Sequence, residues 1–331
     1  MAGMGKRMRP HTLTTPKPLL PIAGKPIVQR LVEGIAKVCM EPINEIAFVI
    51  GPDFGEKVEK TLLKIAASLG AKGIINYQEE ALGTAHAVYS AVQSLNGPVI
   101  VAFADTLFRA DFKLDASRDG IIWVQKVDDP RPFGVVKIDD DNRITDFVEK
   151  PVEFVSDLAI IGIYFFRDGG VLKKEIEYLL DNDIKEKEEF QLTNALENMK
   201  NKGMEFIPGK VDEWLDCGNK DATVFTNQRI LANATDEELI NPGAELINSK
   251  IMEPCFIGKD VKLIDSIVGP YVSIGNNTII RNSVISNAII LENTNIENAA
   301  LTNSMIGNHV SYDGKANQVS LSDYSTQINT L

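Results

Sequence analysis

The chain has 331 residues, of which 44% are hydrophobic and 24% are charged, and these values exclude a wholly disordered protein. Acidic residues outnumber Lys and Arg by 46 to 34, and the formal charge of −12 excludes general nucleic-acid binding while leaving a local anion site open. The 3 cysteines form no CxxC pair and no apolar run is long enough to span a bilayer. We therefore expect a protein of the reducing cytoplasm, with no disulfide framework, no structural zinc site and no membrane partner.

Strand-like and helix-like segments alternate through the first two thirds of the chain. Short apolar runs bounded by turn residues predict buried strands at 46–50, 99–103, 121–127 and 160–166. Helical periodicity predicts helices at 27–39, 56–69, 84–95 and 171–180. This alternation predicts an α/β fold with a Rossmann-like, mostly parallel sheet, in which ligands bind beyond the carboxyl ends of the strands.

The pattern changes near residue 235, and Asn, Ser, Ile and Val dominate from about residue 254 to residue 310. Side chains suited to a core recur every six positions in two series, Val272, Thr278, Val284, Ile290, Ile296 and Val268, Ile274, Ile280. Short strands stacked in a triangular coil would point these side chains inward, whereas an irregular run of β-hairpins would not keep the period. The pattern resembles the hexapeptide repeat of left-handed β-helices.

A glycine-rich loop opens the chain, and cations and prolines follow it closely. Backbone N–H groups exposed at Gly3 and Gly5 can bind phosphate oxygens, Arg7 can fork onto phosphates, and Lys17 can supply a point charge. Gly3-x-Gly5 lacks the third glycine of a dinucleotide-binding fingerprint, and no Gly-Lys pair precedes Ser or Thr as a P-loop requires. Without further signals, such a loop would be an ordinary turn.

This opening resembles the signature of the sugar-1-phosphate nucleotidyltransferases, also called nucleotide-sugar pyrophosphorylases. Their pattern is Ala-Gly-x-Gly-x-Arg-[Leu/Met]-x-Pro, then Pro-Lys-Pro, then Gly-Lys-Pro, and the resemblance continues through most of the chain. It implies that Ala2, Gly3, Gly5 and Arg7 bind the nucleoside triphosphate and that Lys17 contacts phosphate at the reacting centre.

The resemblance also divides the chain into three parts. We expect a nucleotidyltransferase domain over 1–235, a linker over 236–253, and a hexapeptide-repeat left-handed β-helix with its tail over 254–331. Family members have an apolar strand directly before the glycine loop, whereas Met1 lies at the loop here. That strand would be central in the sheet, and each side chain it buries would contribute ~1.5–3 kcal/mol. We therefore expect this chain to be poorly stable, or a longer version to be the native product.

Two further segments carry candidate binding groups for the nucleotide. The Gln78 amide can read one edge of a base, Gly83 lets a flat ring lie against the backbone, and Thr84 is a natural helix N-cap. The resemblance implies that these three residues bind a uracil or thymine nucleotide, and we expect His86 to be structural. Asp105 and Asp216 each follow an apolar run and would singly be turn residues, but the resemblance implies that together they coordinate Mg²⁺.

The sugar side of the expected site rests on Gly134, Glu149 and Lys150. The resemblance implies that Gly134 brings backbone close to the hexose, that Glu149 accepts hydrogen bonds from its hydroxyls, and that Lys150 neutralises the sugar phosphate. Without the resemblance, Glu149-Lys150 is an exposed charge pair before a proline.

The implied reaction is attack of a sugar-1-phosphate oxygen on the α-phosphate of a nucleoside triphosphate, with pyrophosphate as the leaving group. Arg7, Lys17, Asp105 and Lys150 would be catalytic, dTTP or UTP and glucose 1-phosphate are the favoured substrates, and a homo-oligomer is expected. Two alternatives stay open. One is a non-catalytic paralogue that senses sugar nucleotides or assembles with a partner. The other is a second, acyl-transferring activity in the coil, where only His309 is available.

Overall fold

A computed structural model describes residues 5–234 and 239–315 of the protein. Ala2 and Gly3, which the sequence places in the nucleotide site, lie outside these residues. The chain divides into two compact units, and the second of them is not a continuous stretch of the chain. The first unit is built from residues 31–214. The second joins residues of the opening segment, up to Arg30, to the chain from Leu215 onward.

The opening segment of the second unit consists of tight turns, a small hairpin and the start of a helix. Its elements are the 3₁₀ helices Lys6–Met8 and Lys17–Leu19, strand β1 (Pro21–Ile22), strand β2 (Lys25–Pro26) and helix α1 (Ile27–Val38). Strands β1 and β2 pair antiparallel, and Gly24 at the hairpin tip has a φ of 80°. The Ile27 N–H donates to the Leu20 carbonyl at 3.0 Å, so the hairpin closes on the turn that precedes it.

The first unit contains the strands and helices that the sequence pattern predicts, together with several that it does not. Its strands are β3 (Glu45–Ile50), β4 (Lys72–Tyr77), β5 (Val99–Ala102), β6 (Thr106–Arg109), β7 (Gly120–Lys126), β8 (Gly134–Ile138), β9 (Ile144–Glu149), β10 (Leu158–Phe166) and β11 (Phe206–Lys210). Its helices beyond α1 are α2 (Glu56–Ser68), α3 (Thr84–Tyr89), α4 (Gly169–Asp181) and α5 (Leu192–Asn201), with 3₁₀ turns at Pro52–Phe54 and Val92–Ser94.

The predicted helix over 84–95 is divided in the structure, because α3 ends at Tyr89. The Ser90 hydroxyl donates to the His86 carbonyl at 3.1 Å, and the Ala91 N–H bonds to Val88 three residues back. A serine that bonds back to the preceding turn competes with the helical ladder, and a 3₁₀ turn follows.

Strand β10 is the centre of a mixed six-stranded sheet. The order is β11-β7-β10-β8-β9, with β5 also paired to β10, and β10 runs antiparallel to β5, β7 and β8. Strands β11 and β7 are parallel, and β3 and β4 form a separate parallel pair. The α/β fold is confirmed, but the pairing is mixed rather than mostly parallel. Strand β10 is buried along nearly its whole length, so its continuous apolar sequence does not show whether it pairs parallel or antiparallel with its neighbours.

Helices α4 and α5 cover one face of this sheet. Their inward side chains recur at helical spacing, and they include Leu172, Ile176, Leu179, Leu192, Leu196 and Met199. Phe147 and Phe166 both meet the ring of Phe206 edge-on, with centroids 5.4 and 6.3 Å apart. Burial of each such side chain contributes roughly 1.5–3 kcal/mol, which makes this cluster the main core of the unit.

Strand β12 (Glu213–Asp216) leads into helix α6 (Lys220–Ala232), which the sequence pattern does not predict. Three polar residues of α6, Thr223, Thr226 and Asn227, are fully buried. A helix that buries polar groups has no clear apolar stripe, so periodicity alone does not reveal it. Helix α6 packs against strands of the coil that follows.

The coil is a β-solenoid of short parallel strands. They are β13 (Glu245–Ile247), β14 (Lys250–Ile251), β15 (Cys255–Ile257), β16 (Lys262–Ile264), β17 (Ile267–Val268), β18 (Val272–Ile274), β19 (Ile279–Arg281), β20 (Val284–Ile290), β21 (Asn295–Glu297), β22 (Ala300–Ile306) and β23 (Ser311–Asp313). Strands β13 and β14 lie inside the predicted linker and pair with β16 and β17, so the strands of the coil begin earlier than the sequence pattern indicates.

The inward positions of the coil follow steps of five and six rather than six throughout. Leu263 pairs with Ile280 and Ile280 with Ile296, so successive turns span 17 and 16 residues. Most residues of the two predicted series are buried, but Val284 is 55% exposed and its neighbour Ile285 is buried instead. The buried sequence along the coil is Leu263, Val268, Ile274, Ile280, Ile285, Ile290, Ile296.

Asparagines form the corners of the coil. A positive φ is found at Asn277, Asn282, Asn287, Asn293, Asn298 and Asn303. Asn tolerates this left-handed conformation better than other residues with a side chain, and the corner amides stack in hydrogen-bonded pairs such as Asn277 with Asn293 at 3.2 Å. His309, the histidine weighed for acyl transfer, has a φ of 58° and takes the same corner position one turn after Asn293.

In the two described stretches, 5–234 and 239–315, no helix is long and apolar enough to cross a membrane.

Candidate nucleotide and sugar-phosphate site

The described part of the glycine loop is held by backbone turns. Gly5 has a φ of 55°, and its carbonyl accepts hydrogen bonds from the Met8 N–H at 2.9 Å and the Thr12 hydroxyl at 2.8 Å. A side chain at Gly5 would begin 3.2 Å from Cβ of Lys17. The structure therefore brings Gly5 and Lys17 together, with the exposed Arg7 on the 3₁₀ turn between them in sequence.

Lys17 is only 8% exposed, an uncommon state for a charged residue. It begins the 3₁₀ helix Lys17–Leu19, and its carbonyl accepts the Leu20 N–H at 3.1 Å. Backbone hydrogen bonds thus fix the main chain at Lys17, whose side chain is the cation predicted to bind phosphate.

Asp216 ends strand β12, and its carboxylate lies against the backbone of Gly218 in the turn that follows. Its Oδ1 accepts the Gly218 N–H at 2.9 Å, and a Cβ at Gly218 would lie 2.8 Å from Oδ2. The Asp216 carbonyl accepts the hydroxyl of Thr226 at 2.7 Å. Asn219 caps helix α6, because its side-chain oxygen accepts the Ala222 N–H at 3.0 Å.

Asp105 lies in the turn between β5 and β6, and hydrogen bonds on both sides fix this turn to β10. The Phe103 N–H donates to the Gly162 carbonyl at 2.8 Å, and the buried Thr106 hydroxyl donates to the Ile161 carbonyl at 2.7 Å. Gly162 has a φ of 82°, and a Cβ there would lie 3.0 Å from the Phe103 ring. The half-buried Asp105 is thus held at the carboxyl end of β5 by a bulged part of the sheet.

Gln78 is buried, and two acceptors orient its amide. Its Nε2 lies 3.2 Å from the Gly83 carbonyl and 3.1 Å from His86 Nδ1. A carbonyl can only accept, so the amide nitrogen must face Gly83 and His86. His86, expected to be structural, therefore also orients the side chain predicted to read the base.

Thr84 is the first residue of α3 rather than its N-cap, and its hydroxyl bonds across the fold. Gly83 takes the N-cap position, while Thr84 Oγ1 accepts the Leu192 N–H at 2.9 Å and donates to Gln191 at 3.3 Å. The backbone of Phe190 bonds to Leu82 and Ala85 on either side of Gly83. The segment before α5, which sequence reasoning missed, thus holds the loop that is predicted to bind the base.

The first turn of helix α5, directly after this segment, contacts the predicted sugar side. The Thr193 hydroxyl donates to Glu149 Oε2 at 3.2 Å, and a Cβ at Gly134 would lie 3.0 Å from that oxygen. A side chain at Gly134 would therefore crowd this carboxylate. The Lys150 ammonium lies 3.3 Å from Glu149 Oε1, and Lys150 itself has a φ of 43°. Burial, with the nearby Glu149 carboxylate, raises the pKa of Tyr164, which keeps that hydroxyl protonated.

The structure therefore gathers Gln78, Gly83, Thr84, Gly134 and Glu149 around residues 189–193 in the first unit, and Gly5 with Lys17 in the second. Asp105 and Asp216 belong to different units. Within the described stretches, no three His, Cys, Asp or Glu side chains group as a cation site. Asp105 and Asp216 stay predicted Mg²⁺ ligands, with the hard oxygen donors that this ion takes.

The chain belongs to the nucleotidyl transferase family, whose model matches residues 1–233. It is 31% identical over 306 residues to a glucose-1-phosphate thymidylyltransferase of Streptomyces antibioticus, covering 83% of this chain and 81% of that one. It is 34% identical over 187 residues to a mannose-1-phosphate guanylyltransferase catalytic subunit beta of Drosophila melanogaster, covering 54% of this chain and 49% of that one. The resemblance to sugar-1-phosphate nucleotidyltransferases is thereby confirmed.

Solved structures share the fold. A putative glucose-1-phosphate thymidylyltransferase from Bacillus anthracis aligns with a TM-score of 0.59 and 24% identity, over 72% of this chain and 95% of that one. A UDP-glucose pyrophosphorylase complexed with UDP-glucose aligns with a TM-score of 0.56 and 24% identity, over 69% and 95%.

Proposed function

We propose that the protein transfers a nucleotidyl group from dTTP or UTP to a sugar 1-phosphate, with glucose 1-phosphate the favoured acceptor. Glucose-1-phosphate thymidylyltransferase is the best single assignment, and the Streptomyces antibioticus relative of that name supports it over most of the chain. The orientation of Gln78 is the structural observation that supports a base with a ring N–H donor.

The Gln78 nitrogen faces Gly83 and His86, so its oxygen is the atom of the amide that faces away from them. An oxygen in that position accepts a hydrogen bond from a ring N–H. Uracil and thymine carry such a donor at N3, and guanine carries one at N1, whereas cytosine N3 and adenine N1 are acceptors and would oppose the Gln78 oxygen. The preference for uracil or thymine over guanine is supported by the relatives named glucose-1-phosphate thymidylyltransferase. Uracil and thymine differ by one methyl, worth ~1 kcal/mol, so either nucleotide suits this contact.

The proposed chemistry is charge stabilisation and positioning. The attacking sugar phosphate is already an anion, so no side chain need remove a proton. Arg7 and Lys17 bind the triphosphate with backbone at Ala2, Gly3 and Gly5. When bound, Mg²⁺ would be held by Asp105 and Asp216 and would offset phosphate charge.

On the acceptor side, Glu149 accepts hydrogen bonds from sugar hydroxyls next to the backbone of Gly134. The Lys150 side chain is 46% exposed, which leaves its ammonium accessible to a sugar phosphate. Gly83 and Thr84 bind the nucleotide together with Gln78.

Pyrophosphate release tests this function directly. Each of dTTP, UTP, GTP, ATP and CTP is paired with glucose, mannose and N-acetylglucosamine 1-phosphate, in the presence and absence of Mg²⁺. We expect release with dTTP or UTP that requires both substrates and the metal. A folded sample that is silent with every pair contradicts the proposal and supports the non-catalytic alternative.

We further propose a homo-oligomer. Ile267 and Val284 are neighbours on paired strands of the solenoid and are 43% and 55% exposed. Light scattering at several protein concentrations measures the mass, and a monomer throughout would contradict this assignment.

A further inference from the structure

We propose that the solenoid positions Lys17 of the nucleotide site, because Ser273 and Asn227 hold the β1–β2 hairpin to which the backbone of Lys17 is connected. The inference rests on the proposed function, in which Lys17 binds phosphate. It assigns Ser273 and Asn227 as positioning residues and makes no claim that either touches substrate.

Asn227 joins three segments of the second unit. It is fully buried on α6, and its Oδ1 accepts the Ala23 N–H at 3.0 Å and the Ser273 hydroxyl at 2.6 Å. Its Nδ2 donates to the Tyr271 carbonyl at 3.4 Å. One amide therefore links the hairpin to strand β18 and to the corner before it. Burial makes these hydrogen bonds strong and makes the loss of a partner costly.

The hairpin tip needs such support, because its backbone is in a left-handed conformation. Ala23 has a φ of 44° and Gly24 a φ of 80°. Arg30 bonds the carbonyls of Ile22 and Ala23 at 2.6 and 2.7 Å. The ring of Phe256 from the solenoid lies against Gly24, so closely that a Cβ there would be 2.3 Å from the ring. Two solenoid side chains, Phe256 directly and Ser273 through Asn227, thus fix the tip.

The hairpin in turn fixes Lys17 through backbone hydrogen bonds. The Ile27 N–H donates to the Leu20 carbonyl at 3.0 Å, and the Leu20 N–H donates to the Lys17 carbonyl at 3.1 Å. Lys17 lies beside Gly5 of the glycine loop. A shift of the hairpin therefore displaces the backbone of Lys17.

Two neighbours of Asn227 on the same face of α6 extend the connection. The Thr223 hydroxyl lies 3.5 Å from the sulfur of Met8 in the glycine loop, and the Thr226 hydroxyl donates to the Asp216 carbonyl. Residues three and four apart share a helix face, so one face of α6 contacts the loop, a predicted magnesium ligand and the solenoid. Apolar side chains would bury this helix equally well, but hydrogen bonds also specify its position.

The test compares Ser273→Ala with Ser266→Ala in the full-length protein. Ser266 is also a buried solenoid serine, but it donates to Ile264 and accepts from Ser283, both within the coil. We measure hydrogen exchange of the peptide that contains Ala23, together with KM for each substrate and kcat. Loss of one buried hydrogen bond is expected to change exchange or affinity by about fivefold to tenfold.

We expect Ser273→Ala to speed exchange at Ala23 and to raise KM for the nucleotide, with KM for the sugar phosphate within about twofold of the wild-type value. Ser266→Ala leaves the exchange at Ala23 and both KM values unchanged. Ser273→Thr, which keeps the hydroxyl, restores the exchange at Ala23 and the KM for the nucleotide. Equal effects of the two alanine variants, or faster exchange with an unchanged KM for the nucleotide, overturn the inference while leaving the proposed function intact. A wild-type protein without transferase activity overturns the proposed function and, with it, the role given to Lys17.

Discussion

Asp105 has a fixed position in the structure, and the role proposed for it depends on its charge. Its turn is held to β10 through Phe103 and Thr106, neither of which bonds through the Asp105 carboxylate. We predict that Asp105→Asn lowers kcat by more than about tenfold with the fold retained, because the amide keeps the shape of the side chain but loses its charge. Asp140→Asn, at an exposed site between β8 and β9, is the control. Full activity of the Asp105 variant would remove this residue from the site.

His11 makes the stability of the opening segment sensitive to acid. Burial, followed by the charge of Lys220, lowers the pKa of His11 from 6.5 to about 4. The unfolded chain therefore binds a proton at this residue between pH 6.5 and 4 and the folded protein does not, so stability falls as the pH falls through this window. The expected loss is about 3 kcal/mol at most.

Urea unfolding at pH 7 and pH 4.5 measures this effect of His11. We expect His11→Asn to reduce the difference between the two pH values, whereas His309→Asn, at an exposed corner of the solenoid, leaves it as in the wild type. A His11 variant with the full pH dependence would show that other groups cause it.

At the scale of single residues, the candidate site could be predicted only where a residue lies in a motif. Gln78, Asp105 and Glu149 stand in continuous sequence patterns. In the structure, Gln78 and Glu149 have hydrogen-bond partners, and the turn that carries Asp105 is fixed through Thr106. Thr193 lies far along the chain from Glu149, which it contacts, and its sequence neighbours form an ordinary amphipathic helix. Contacts between distant segments leave no local signal, so Thr193 was missed.

The segment before α5 makes Gly83 sensitive to any side chain. Gly83 has a φ of 115°, and a Cβ would lie 2.5 Å from the carbonyl oxygen of Phe190. We predict that Gly83→Ala lowers the free energy of unfolding by about 2–4 kcal/mol, because it combines backbone strain with a clash against backbone. Gly70→Ala tests strain alone, since Gly70 has a φ of 74° with open space around it, and should cost about 1 kcal/mol. Chemical denaturation measures both, and equal losses would contradict the clash.

Helices and strands could be predicted from the sequence where one face is buried and apolar, or where the whole element is buried and apolar. The strands at Glu45–Ile50 and Val99–Ala102 and the helix at Glu56–Ser68 agree with the sequence pattern to within about one residue. Helix α6 was missed because its buried face carries Thr and Asn. In the solenoid, the strict period of six failed at Val284, because the corners shorten the turns to 17 and 16 residues.

At the scale of the whole molecule, the order of domains along the chain and the compact units differ. The sequence indicates a change of character near residue 235, and the domain boundaries stay a prediction. In the structure, the opening segment and α6 belong to the same unit as the solenoid. Local composition shows where alternating strands and helices change to the repeats of the coil, but it does not show which segments pack together.

This difference leads to a prediction for a chain shortened to residues 1–234. Such a chain lacks Phe256 and Ser273, and α6 loses the solenoid strands against which it packs. Each side chain that becomes exposed costs roughly 1.5–3 kcal/mol. We expect the amides of residues 21–30 and 220–232 to exchange rapidly, while β10, α4 and α5 stay protected by their own core around Phe206. Hydrogen exchange measured by mass spectrometry compares the two chains peptide by peptide. If the hairpin were equally protected in both, residues 1–234 would fold independently of the coil, as the linear division into domains implies.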